Sequence, residues 1–209
     1  MIHDISMKIS PDMPVYKAKP EKRPRITRDS DFGSGGARES RIEMNMHTGT
    51  HVDMPLHYLE GGDAVDTLDL RKVVVPCRVY DFSQVQSSIT QKDLEQKSIS
   101  GDEFVLLKTA NSYRNILEGA FIYLDESGAA YLRNLKVPGV GIDSLGIERD
   151  QPGHPTHKTL LGAGILILEG LRLRDIAEGG YILISAPVYV AGAEASPVRA
   201  FLLDRPFCM

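Results

Sequence analysis

Six histidines lie in this 209-residue chain, and three of them, at positions 47, 51 and 57, fall within eleven residues. The run reads His47-Thr-Gly-Thr-His51-Val-Asp53-Met-Pro-Leu-His57. Imidazoles with carboxylates are the side chains that hold zinc-like divalent ions. Two histidines four apart would suit a helical metal motif. Here Thr48, Thr50 and Val52 are β-branched, Gly49 separates the histidines and Pro55 follows, so the composition opposes helix. On an extended chain His51 and Asp53, two apart, point to the same side. His47 is expected to end a preceding strand, with Gly49 bending the chain so that His47 turns towards the same ion. Two nitrogens and one oxygen then sit at a strand end with coordination positions left open, as catalytic rather than structural sites require. His57 lies beyond Pro55 and is expected beside the ion, not on it.

A second cluster is His154-Pro-Thr-His157, followed by Leu166-Ile-Leu-Glu169. A glutamate closing an apolar strand is costly unless it is paired or metal-bound. His157, on a helix opened by Pro155, and Glu169, on the strand after it, can converge. His154 reads as a surface residue and His3 as one without a role in the site.

The elements that position these groups are mostly short strands. Arg41-Ile-Glu-Met-Asn-Met-His47 alternates polar and apolar residues, the pattern of a half-buried strand. Val73–Pro76 and Cys77–Phe82 read as strand, with Pro76 at a bend or an edge. Buried strands are expected at Phe104–Thr109, Phe121–Leu124, Val140–Ile142, Ile165–Glu169 and Tyr181–Ser185, which are apolar runs bounded by turn residues. Helices are expected from Thr90, an N-cap with an acid three residues on, over Ser127–Leu135, and over Pro155–Leu161. Residues 11 to 36 hold Pro11, Pro14, Pro20 and Pro24, then Gly33, Gly35 and Gly36, and read as mostly loop. That stretch also carries six basic residues, Lys17, Lys19, Lys22, Arg23, Arg25 and Arg28. It is either a solvated basic loop or a lid or arm packed on a partner subunit. The sum is one α/β domain over 1–209, barrel-containing, with short flanking helices.

Composition narrows the function classes. A net charge of −4 offers no general attraction to nucleic acid or an anionic membrane. The N-terminus lacks an apolar signal segment and no run is long enough to span a bilayer. Cys77 and Cys208 stand far apart, so they are expected as a small buried hydrophobe and a tail residue, and two lone thiols fit a cytoplasmic location.

The run at 47–57 resembles the signature of the metal-dependent cyclase family, which includes bacterial kynurenine formamidases and isatin hydrolases. Gly141-Ile-Asp143-Ser144, His157 through Glu169-Gly-Leu171, and Ser196-Pro-Val-Arg199-Ala200 extend the resemblance over most of the chain. It implies a swivelling β/β/α-like fold and an oligomer, a homodimer or homotetramer. It implies that His47, His51 and Asp53 bind one metal, and that Asp53 bridges to a second held by His157 and Glu169. His57 is implied as the general acid/base. The formamidase branch often has a Trp-Pro-Gly-Asp-like stretch where this chain reads Pro14-Val15-Tyr16-Lys17-Ala18-Lys19-Pro20, and this chain has no tryptophan. The resemblance therefore carries the metal chemistry, not a particular substrate.

The expected activity is hydrolysis of a small amide or cyclic amide, of the arylformamidase or isatin-hydrolase type, by a metal-activated water. A cyclase or dehydratase acting on a small carbonyl substrate, and a metal-binding protein without turnover, are the other readings. Thiolate-free ligands favour Zn²⁺, one or two ions, with Mn²⁺ second.

Overall fold

The computed structural model describes residues 1–34, 36–114 and 120–205. Its strands are β1 (Ile2–Asp4), β2 (Arg25–Ser30), β3 (Glu39–Glu43), β4 (His51–Asp53), β5 (Val74–Phe82), β6 (Ser88–Ile89), β7 (Phe104–Thr109), β8 (Tyr123–Leu124), β9 (Gly139–Ile142), β10 (Leu166–Glu169), β11 (Gly179–Ile184), β12 (Ala195–Pro197) and β13 (Phe201–Asp204). The helices are α1 (Gln91–Glu95), α2 (Glu126–Leu135) and α3 (Pro155–Gly162). Nine strands form one sheet in the order β1-β13-β11-β5-β7-β9-β10-β4-β12. The four central strands β5, β7, β9 and β10 run parallel, and the flanking pairs are antiparallel. Each parallel step returns through a helix, as parallel pairing requires.

The sheet curls. β12 pairs with β4 at one end of the order, and β13, a few residues later, pairs with β1 and β11 at the other. Between them Val198 N–H donates to Thr50 O at 3.0 Å and Ile5 N–H donates to Ala200 O at 3.0 Å. One stretch of chain thus bridges both ends of the ladder. The expected barrel is realised as a curled sheet whose ladder stays open.

The pleat sorts side chains between two cores. Phe104 and Leu106 of β7, Leu166 and Leu168 of β10 and Val52 of β4 fill the concave interior with Val75, Cys77 and Val79 of β5. Val105, Leu107 and Ile167 face the helices and pack with Leu132 of α2 and Leu160 of α3. The capping box at Thr90 forms, with Asp93 as its reciprocal acid, and α2 starts at Glu126, one residue before the expected start, with Asp125 as its N-cap. Cys77 is buried, as read from sequence; Cys208 lies outside the described residues.

Some expectations fail. The alternation at 41–47 does not make a half-buried strand. β3 stops at Glu43 with all five of its residues exposed, and His47 sits in a turn. Residues 11–36 are not mostly loop: Arg25–Ser30 is β2, and three short 3-10 turns cover Tyr16–Ala18, Pro20–Lys22 and Phe32–Ser34. β2 and β3 form a two-stranded hairpin in which Ile26 opposes Ile42 and Arg25 opposes Glu43. β-branched pairs and opposite charges across strands hold such a hairpin. Of the strand expected at Phe121–Leu124, only Tyr123–Leu124 pairs. Val73–Phe82 is essentially one strand, and Pro76 sits where β7 has not yet joined, so β5 is an edge on that side.

Among the described residues no helix is long and apolar enough to cross a membrane.

Candidate metal centre

Two short antiparallel strands form the floor of the site. His51 of β4 lies opposite Glu169 of β10, and Asp53 lies opposite Ile167. Because Ile167 faces the helices, the pleat brings His51, Asp53 and Glu169 to that side as well. The strands are drawn together by two glycines. Gly49 and Gly170 both adopt positive φ, 76° and 71°, and a Cβ on Gly170 would run into the Gly49 carbonyl. Thr50 fixes this crossing, its hydroxyl donating to Gly170 O and accepting from Met7 N–H, both at 2.7 Å. The bend places His47 over the strand pair. His157 enters from the first turn of α3, which starts with His154 in the left-handed region and Pro155 at its first position.

Asp53 is at the centre. Its Oδ1 is 2.9 Å from His47 Nδ1 and 3.3 Å from His51 Nε2, and its Oδ2 is 3.6 Å from His157 Nε2. Glu169 lies 3.4 Å from His51 Nε2 and 3.3 Å from His157 Nε2. The structure therefore brings His47, His51, Asp53, His157 and Glu169 into one cluster. His57 stacks beside it, its ring centroid 3.9 Å from that of His47 and 5.6 Å from that of His157. Donor atoms within 4.8 Å of one another include a His47, Asp53, His57 set and a His51, Asp53, Glu169 set, so Asp53 belongs to both.

Two contacts orient the rings. His51 Nδ1 is 2.9 Å from Gly49 O, which can only accept, so Nδ1 carries the proton. His157 Nδ1 faces Glu148 Oε1 at 2.5 Å. Both rings thus turn Nε2 towards the carboxylates, as metal-ligating histidines do. Yet both Asp53 oxygens and the Nε2 atoms of His47 and His51 are buried without a hydrogen-bond partner. Such groups are costly unless a charge compensates them. Extra protons are one answer. Burial works against charging His51, but the Asp53 and Glu169 carboxylates overcome it and push His51 up to about 10. His157 is also raised against its burial, by Asp53, Glu148 and Glu169. Asp53 is held well below the usual carboxylate range despite its burial, chiefly by His51. Glu169, which burial and Asp53 would raise, is drawn down to about 2 by His157 and His51. A divalent cation is the other answer, and an imidazole–carboxylate set with orphaned inward-facing atoms fits one.

His57 differs from its neighbours. Burial dominates and pushes it down to about 4, so its ring is neutral at pH 7. His154 stays outside the cluster, half exposed, 3.2 Å from Glu148 and 3.3 Å from the Tyr58 hydroxyl. His3 pairs with Asp204, away from the site. Sequence reading missed Glu148, which also accepts from Thr156 N–H at 3.1 Å and Gln151 Nε2 at 2.8 Å. It also missed Glu194, 3.2 Å from His47 Nε2, and Tyr58, whose ring covers His157 at 4.5 Å. None of the three stands in a pattern that signals a role, although Tyr58 follows His57 directly. The cluster opens into a cavity of about 200 Å³.

The family model described as Cyclase matches residues 3–149. A kynurenine formamidase of Salinibacter ruber is 33% identical over 206 residues, 97% of each chain. A solved structure described as a potential metal-dependent hydrolase with cyclase activity has 46% identity and a TM-score of 0.91, covering 99% of this chain and 98% of its own. Isatin hydrolase A from Labrenzia aggregata, bound to benzyl benzoate, has 26% identity and a TM-score of 0.86, covering 99% and 94%. The chain is thus an enzyme of the cyclase family, related over its length to hydrolases that act on C–N bonds outside peptides.

Proposed function

We propose that this protein hydrolyses a small aryl amide, either a formamide or a cyclic amide, with one or two divalent ions held by His47, His51, Asp53, His157 and Glu169. The observation that carries this reading is the set of orphaned, inward-facing atoms around Asp53. Zinc suits the donors best and manganese second. A divalent ion there would supply an acidified water and positive charge opposite a developing oxyanion.

The chain's own residues do the rest. Glu148 and Gly49 hold the tautomers of His157 and His51. His57, neutral at pH 7, takes a proton from the attacking water and returns it to the leaving nitrogen. A depressed imidazole gives its proton up readily, and an amine leaves only when protonated. Tyr58 and Leu145 line the same cavity as His57 and Glu169. We further propose a cytoplasmic homodimer or homotetramer with a fold of the swivelling β/β/α type. Ring closure through the same polarisation is the second reading, favoured by the neighbour described as having cyclase activity.

The test is metal content followed by turnover. About one to two divalent ions per chain are expected, with chelation abolishing hydrolysis of formanilide or isatin. Full activity in metal-free protein would refute the proposal. Turnover of open-chain acids to rings, without amide hydrolysis, would favour the second reading.

A further inference from the structure

The cavity has a roof that is chemically unlike its floor. Tyr16, Lys17 and Lys22, all from the N-terminal segment, line the same cavity as His57 and Glu169. Both ammonium groups lie 5.5 Å from the centre of the Tyr16 ring. The segment is anchored at several points. Met13 and Val15 are buried against Leu145, Tyr16 packs on Phe121 at 6.2 Å, and the Lys22 carbonyl accepts from Thr48 Oγ1 at 2.9 Å. The last bond ties Lys22 to the residue that follows His47. Two successive residues, Lys17 and Ala18, are held at φ 55° and 52° to make the turn. Non-glycine residues in that region gather at functional sites because surrounding contacts must hold them there.

The two lysines are not equivalent. Lys17 Nζ lies 3.5 Å from Asp150, so its charge is partly answered. Among the described residues no carboxylate lies within ion-pairing distance of Lys22. It is a half-buried cation on the Tyr16 face, at the wall of a cavity that Tyr16 and Tyr58 both line. A flat ring with an anionic substituent matches that wall: the ring against Tyr16 and Tyr58, the anion at Lys22.

We propose that Lys22 is a substrate-anion subsite, and that the preferred substrate is an aryl amide carrying a carboxylate. The amide carbonyl faces the Asp53 cluster and the carboxylate meets the Lys22 ammonium. This rests on the hydrolase reading above. It adds a selectivity that the floor does not supply.

The experiment compares formanilide with its three ring-carboxylated isomers on the metal-loaded protein, in wild type, Lys22→Met and Lys22→Arg. The methionine keeps the apolar stem and removes the charge, so a normal melting temperature is expected. For the best carboxylated isomer, Lys22→Met should raise KM about tenfold with kcat nearly unchanged, the scale of one charge-assisted contact. Neutral formanilide should change less than twofold, and Lys22→Arg should restore most of the loss. If the preference for the carboxylated isomer survives in Lys22→Met, the anion is held elsewhere and the subsite is overturned. If no compound is hydrolysed by the wild type, the hydrolase reading falls, and calorimetric titration with the same compounds decides the subsite separately. Weaker binding of a carboxylated isomer to Lys22→Met then supports it, and equal binding overturns it.

Discussion

The floor and the roof of the cavity are built by opposite means. On the floor, His51, Asp53 and Glu169 are buried and sit on paired strands whose register sets their spacing. Across from them, the segment around Tyr16–Lys22 is folded into single 3-10 turns, and the β2–β3 hairpin after it is exposed almost throughout. A cluster of like and unlike charges out of water tolerates little displacement, so it belongs on a sheet. Substrate choice needs only a surface at the right height, and loops change without disturbing the sheet. On the proposed reading, the difference separates chemistry from selectivity along the chain.

The comparison breaks most visibly at the floor. Asp53→Ala should lose all bound metal and drop turnover to background, while Glu169→Ala keeps part of its metal. Metal analysis of both variants checks this, and equal partial losses would remove the bridging role from Asp53.

His57→Ala should keep its metal and its melting temperature but lose kcat by about 10²–10⁴ on an amide. An ester with a good leaving group should suffer less, since it departs without a proton. A variant that loses metal would make His57 a ligand.

Behind the floor, Glu148→Gln removes the charge facing His157 Nδ1. Metal affinity should fall about 10- to 100-fold, read by competition with a chelator. Unchanged affinity would mean that α3 alone orients the ring.

Protons sharpen the comparison further. In metal-free protein, the rise of His51 to about 10 contributes stability that is fully present below its unfolded value near 6.5 and is lost as pH climbs through 10. Metal must displace those protons, so the gain in melting temperature from added zinc should be larger at pH 8 than at pH 6. An equal gain at both values would mean that the pairs around Asp53 are not ligands.

The smallest effect belongs to the roof. Ala18→Gly relieves a left-handed alanine and should stabilise the fold by at most about 1 kcal/mol, with kcat unchanged. Thermal melting and turnover on formanilide read the two halves of that expectation.

The floor was legible because its residue types are rare and close together in sequence. The β-branched spacing around His51 and Asp53 made an extended chain the natural reading, and Gly49 marked the bend. Glu169 showed itself by ending an apolar run. Glu148 was hidden because a buried acid that serves another side chain needs only to be within reach, and no period records that. The hairpin was misread for a different reason. Its alternation at Arg41–Glu43 meets Thr27, Ile26 and Arg25 across the pair, with Arg41 also paired to Asp29, and no core covers it, so a period-2 pattern implied burial that never occurs. The strand at Arg25–Ser30 is carried by the β-branched Ile26 and Thr27, which stand between Pro24 and the glycines at 33, 35 and 36.

The segment that bridges the two ends of the sheet also sets an order of events. β4, which carries His51 and Asp53, gains its second neighbour only from residues 195–197, more than 140 positions downstream. Contacts that distant are slow to form, and during synthesis they cannot form until those residues leave the ribosome. Until then one side of β4 is an open edge, and its carboxylate and imidazole can remain in water. The pairing that closes this edge of β4 therefore depends on chain made after the parallel core strands and their helices.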